Sequence, residues 1–130
     1  MKIATIFVPL ISIAACAQQA SPSPSPSSGR ELFIAYCGPC HGLDGKGNGP
    51  AATAFRKPPA DLTLLAQRKH GKFPGAEVAH ELHDVRDAPH GSKEMPVWGP
   101  ILSELSPKGD EMAALRISNI VSYIETLQIK

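Results

Sequence analysis

The segment 35–50, AYCGPCHGLDGKGNGP, sets the tightest limit on what this chain can fold into. Two cysteines three positions apart, with a histidine directly after them, gather reactive side chains at one point. The ten residues from His41 to Pro50 then hold four glycines, too many for a helix to continue. Structure at this point must come from upstream. There Ser28 and Glu31 make a capping-box pattern, and Leu32, Phe33 and Tyr36 share a face at helical spacing, so a helix running into Cys37 is expected. The central chain has no run of alternating or β-branched apolar residues from which to build a sheet. Thirteen prolines, eleven glycines and 5% aromatics in 130 residues leave a thin apolar inventory for one small domain. A domain of that kind needs a staple, a metal or a cofactor to complete its core.

Three further segments read as helical. Asp61 is an N-cap for a short helix through about Lys69. GAEVAHELHDV follows, with Val78, Leu82 and Val85 on one side. From about Asp110 to Gln128, the residues Met112, Leu115, Ile117, Ile120, Val121, Ile124 and Leu127 form a broad apolar stripe. The fold class expected is therefore all-α, a few short helices joined by Pro/Gly-rich loops. No basic block appears, so nothing suggests a nucleic-acid partner.

The N-terminus, MKIATIFVPLISIAACAQQ, carries one charge, Lys2, and an apolar run from Ile3 to Ala15 that is short for a membrane span. It reads as an export signal. Cleavage after Ala17 satisfies a small-x-small rule. Ile13-Ala14-Ala15-Cys16 instead resembles the bacterial lipobox, with residues 1–15 removed and Cys16 lipidated. Lipidation also accounts for the odd third cysteine. The residues behind it, 16–28, are a Ser/Pro tether that stays extended and reaches on the order of 30 Å. The folded domain is expected at 29–130. Losing the leader removes Lys2 and no acidic group, so the mature chain carries 12 basic and 12 acidic residues.

Cys37-Gly-Pro-Cys40 has two chemical readings. Beside a βαβ pattern it is a redox dithiol; followed by His41 it is a covalent haem attachment site. The helix before the motif and the glycines after it count against the dithiol. From about Ser28 to Gln128 the chain resembles a class I c-type cytochrome: a helix into C-x-x-C-H, a Gly-Pro loop, a Met-Pro segment in GSKEMPVWGP, and a C-terminal helix. The resemblance covers nearly the whole mature domain, with its motifs in order.

That resemblance implies a small cytochrome c-like fold wrapped around one covalent haem c, with Cys37 and Cys40 as thioethers and His41 on the iron. It maps the acceptor for the second His41 ring nitrogen to the carbonyl of Pro50, and the sixth ligand to Met95, whose place before Pro96 favours an extended loop. Trp98, just after that pair, is expected beside the haem. Met112 reads as core, His70, His80 and His83 as solvent-facing, and Arg56 and Lys57 as a solvated pair. His90 shares the loop of Met95 and is the alternative ligand. The function implied is one-electron transfer by a monomeric carrier and not an enzyme, held at the periplasmic side of a bacterial membrane through its lipid anchor, or soluble in the periplasm. Transient redox partners would be a terminal oxidase, a dehydrogenase or a copper enzyme, meeting the segments 38–50 and 90–99. The alternatives are an open-site haem protein, gas-binding or weakly peroxidatic, and a thiol-disulfide oxidoreductase.

Overall fold

Pro26 opens the first helix, α1 (Pro26–Leu32). A fixed φ of about −65° suits a first turn, and the missing N–H costs no intrahelical bond there. The computed structural model describes residues 26–83 and 95–129. Starting at Pro26, α1 takes in the last residues of the expected tether, and Ser28 lies within the first turn instead of capping it. The helical path continues through a π-helical turn, Phe33–Cys37, closed by the Gly38 N–H on the Phe33 carbonyl five residues back. It then enters α2 (Gly38–His41). Such widened turns gather at functional sites, and this one ends on the first cysteine of the motif.

A 3₁₀ turn at Ala52–Ala54 follows the glycine loop. Asp61 caps a second, Leu62–Leu64, by accepting from the Thr63 N–H at 2.8 Å and the Thr63 hydroxyl at 2.6 Å. The chain continues into α3 (Leu65–Arg68), α4 (Gly75–His83), α5 (Trp98–Glu104) and α6 (Gly109–Thr126). No strand occurs among the described residues. The fold is all-α, as expected.

α6 is the spine, lying against α1, α5 and α4. Its buried seam is Ala113, Ile117, Ile120 and Ile124, spaced four, three and four apart as one helical face requires. Met112 is half-buried, so the seam runs one residue away from it. Phe33, Leu82, Leu102 and Cys37 complete the buried cluster. Phe33, Leu102 and Ile120 are at most 1% exposed, and each contributes roughly 1.5–3 kcal/mol by leaving water. Close approach of α1 to α6 depends on Gly29, where a Cβ would run into the Asn119 carbonyl.

α5 lies where a loop was expected. Pro100 sits in its first turn, where a helix needs no amide donor. Gly99 lets α5 press on α4, since a Cβ there would come 2.6 Å from the His83 carbonyl. Arg116 then reaches back from α6 to cap α5, donating to the Leu102 carbonyl at 2.8 Å. Val85 lies outside the described residues.

α3 ends in a Schellman-type turn, with the Gly71 N–H on the Ala66 carbonyl at 2.8 Å and His70 in the left-handed region at φ 55°. A non-glycine residue there is strained. His70→Gly should stabilise the protein by about 0.5–1 kcal/mol, net of the extra chain entropy glycine loses on folding. Thermal unfolding checks this: a Tm unchanged or lowered would mean that the imidazole makes a compensating contact.

Candidate functional site

A helix leaves its last four carbonyls without intrahelical partners, and α2 is only four residues long. The glycine-rich loop after it supplies the donors. The Gly38, Pro39, Cys40 and His41 carbonyls accept from the amides of Gly42, Ala51, Gly49 and Gly47, at 2.9, 2.9, 3.1 and 2.7 Å. The loop therefore wraps under α2 and fixes the turn that carries Cys40 and His41. Gly47 adopts φ 80°, and a Cβ there would strike the Pro59 carbonyl. The glycine run of the sequence is thus the partner of the C-x-x-C-H turn.

Cys37 is 6% exposed and Cys40 half-buried, and both are free thiols. Burial, with a smaller effect from Cys40, pushes the Cys37 thiol up to about 12. A dithiol nucleophile needs the opposite shift, toward a stable thiolate. The absence of a strand among the described residues counts the same way.

His41 Nδ1 lies 3.0 Å from the Ala60 carbonyl. A carbonyl only accepts, so Nδ1 carries the proton and Nε2 keeps its lone pair for a metal. Burial lowers the pKa of the ring, against a smaller opposing effect of the Ala60 bond, and favours the neutral, ligating form. The acceptor is thus not the Pro50 carbonyl. The 42–51 loop turns amide donors toward α2, and the carbonyl comes from the next pass of the chain, just ahead of the Asp61 cap. Pro50 is exposed. Nothing local in the sequence marks Ala60, because the contact joins residues nineteen apart.

Met95 and Trp98 pack, half-buried, on the cluster that contains Cys37. Trp98 meets the edge of Tyr36 with ring centroids 5.7 Å apart, which brings the Met95–Trp98 segment beside the residue preceding Cys37. His70, His80 and His83 are exposed, as are Arg56 and Lys57. Among the described residues no group of three or more His, Cys, Asp or Glu side chains gathers around a metal position. His90 and Cys16 lie outside the described residues.

These features fit a covalently attached haem. Two free thiols stand one turn apart, the neighbouring imidazole is held through Nδ1 so that Nε2 keeps its lone pair, and an apolar flank carries Met95 and Trp98. Among the described residues no helix is long and apolar enough to cross a membrane. No curated protein and no solved structure is significantly similar to the chain. A sequence model of the family described as "Cytochrome C oxidase, cbb3-type, subunit III" matches residues 24–115, from just ahead of α1 into the middle of α6. The chain belongs to this family of c-type cytochrome domains, whose chemistry is electron transfer by covalently bound haem c.

Proposed function

We propose that this protein is a lipid-tethered monohaem electron carrier with His41 and Met95 as its axial ligands. The observation that carries the ligand assignment is the hydrogen bond from His41 Nδ1 to Ala60, which leaves one ring nitrogen, and the right one, for iron. Bound there, the haem supplies a reversible one-electron couple. Cys37 and Cys40 hold it by thioether bonds, so the cofactor is retained outside the cytoplasm. Met95 would supply a thioether as the second ligand, a soft donor that favours the reduced state. Ligation by both His41 and Met95 would leave the iron no position for a substrate. Trp98 and Tyr36 shield the apolar side.

Support for a contact face in the 38–50 segment comes from Leu43, which is 68% exposed and shares a shallow, mostly apolar groove with Ile34, Pro39 and Pro50. A small apolar contact suits a transient electron-transfer encounter, and a mature chain with balanced charges relies little on long-range steering. The family description names an oxidase subunit, which favours a terminal oxidase over a dehydrogenase or copper enzyme as the partner. Cys16 and the Ser/Pro segment behind it would hold the domain at the periplasmic side of the membrane.

The test is the intact mass of the mature protein, made in a haem-maturing bacterial host and measured after denaturation and reduction. One haem retained on the Cys37–Cys40 peptide and an acyl-glyceride increment on Cys16 are expected. Two unmodified thiols in that peptide would overturn the reading.

A further inference from the structure

We propose that Gln128 is a positioning residue for the axial histidine, acting through the Ala60 carbonyl. In a regular helix the Ala66 N–H would bond directly to the Leu62 carbonyl four residues back. Here the Gln128 carboxamide is spliced between them. Its Oε1 accepts from the Ala66 N–H at 2.9 Å, and its Nε2 donates to the Leu62 carbonyl at 2.8 Å. The second Nε2 proton goes to the Ile124 carbonyl of α6, also at 2.8 Å. All three bonds require this orientation of the amide, because the flipped group would set a donor against the Ala66 N–H.

The splice explains a local oddity of the fold. The helix started by Asp61 is broken into a 3₁₀ turn and α3, with Leu64 off helical geometry at φ −103° and ψ 9°. Side-chain insertion into the ladder is a known cause of such breaks. The Ile129 N–H adds a bond to the Thr63 carbonyl at 3.0 Å, so the residues after α6 grip the whole turn. On its other side, the Leu62 N–H donates to the Gly45 carbonyl at 2.7 Å, tying the turn to the loop under α2. Leu62 is thus pinned at both its N–H and its carbonyl. Ala60, two residues earlier, takes its direction from that pinned point, and its carbonyl meets His41 Nδ1. Without the carboxamide, the Ala66 N–H closes directly on Leu62, the turn tightens and the Ala60 carbonyl moves.

The inference rests on the haem reading above. A donated Nδ1 proton makes the imidazole a stronger ligand and so favours oxidised iron. Gln128→Ala in the haem-loaded full chain should raise the midpoint potential and speed exchange of the His41 Nδ1 proton at least tenfold. Gln128→Glu keeps the volume and an acceptor for Ala66 but sets an oxygen where two donors stood. It should shift both readouts in the same direction, and it serves if the smaller side chain blocks maturation. Gly109→Ala is the control for stability alone, because Gly109 sits at φ 51° at the opposite end of α6. It should lower Tm and move neither readout. Potential and exchange unchanged in both Gln128 variants, or shifted equally by Gly109→Ala, would overturn the role of Gln128 while leaving the carrier intact. A parent protein without haem would instead overturn the carrier reading, and this inference with it.

Discussion

Met95→Ala should leave the haem covalently attached, abolish the weak sulfur-to-iron charge-transfer band, and lower the midpoint potential by more than a tenth of the roughly 0.8 V that axial ligation commands. The thioether is a soft donor that favours the reduced iron; water or a stray imidazole in its place favours the oxidised form. Attachment should be untouched because the proposed thioethers are on Cys37 and Cys40, one turn apart on a helix that Met95 does not build. Fold should change little, since Met95 is half-buried at the margin of the cluster whose centre is Phe33, Leu102 and Ile120. The variant should also bind carbon monoxide in the reduced state, and the parent should resist it. Band and potential both unchanged would remove Met95 from the iron and bring His90 forward. Carbon monoxide binding by the parent would favour an open-site haem protein.

Much of this arrangement is legible before any coordinates. The helix into Cys37, the stripe of α6 and the Asp61 cap follow from spacing and capping chemistry, because each is a local pattern whose period or cap the tertiary structure leaves in place. What escapes is set by approach between distant segments. Leu102 is fully buried, yet no helix was expected between GAEVAHELHDV and the stripe of α6, and Gly99 and Pro100 give WGPILSE no strong helical pattern. Their role appears only when α5 is seen pressed on the backbone of α4. Ser28 and Glu31 satisfy a capping pattern, but Pro26 starts the helix a little earlier. The partner of His41 is nineteen residues away at Ala60. The resemblance maps the acceptor to Pro50 in the nearer loop, but that loop faces α2 with its amides.

The glycines of that loop give the sharpest stability test. Gly49 is half of a tight stack in which its N–H reaches the Cys40 carbonyl at 3.1 Å. A Cβ at Gly49 would run into the Pro39 carbonyl and lie 2.7 Å from the carbonyl carbon and oxygen of Cys40. These obstacles are backbone, so no rotamer change relieves them. Gly49→Ala must push the loop off α2, at about 1–3 kcal/mol for overpacking and about 1 kcal/mol for each loop-to-carbonyl hydrogen bond lost. A total near 3 kcal/mol would lower Tm by more than about 10 °C in a domain of this size. Gly71→Ala is the informative contrast. Its φ of 87° strains any side chain, but nothing lies within 4 Å of the new Cβ, so its cost is backbone strain alone, about 1–2 kcal/mol. The two variants also differ in what they disturb. Loosening the loop frees the carbonyls of Pro39 and Cys40 and so the turn that presents His41, and Gly49→Ala should therefore lower the yield of haem-loaded protein as well as Tm. Gly71→Ala should lower Tm alone. Equal haem loading in both variants would mean that the loop stabilises α2 without fixing the geometry of Cys40 and His41.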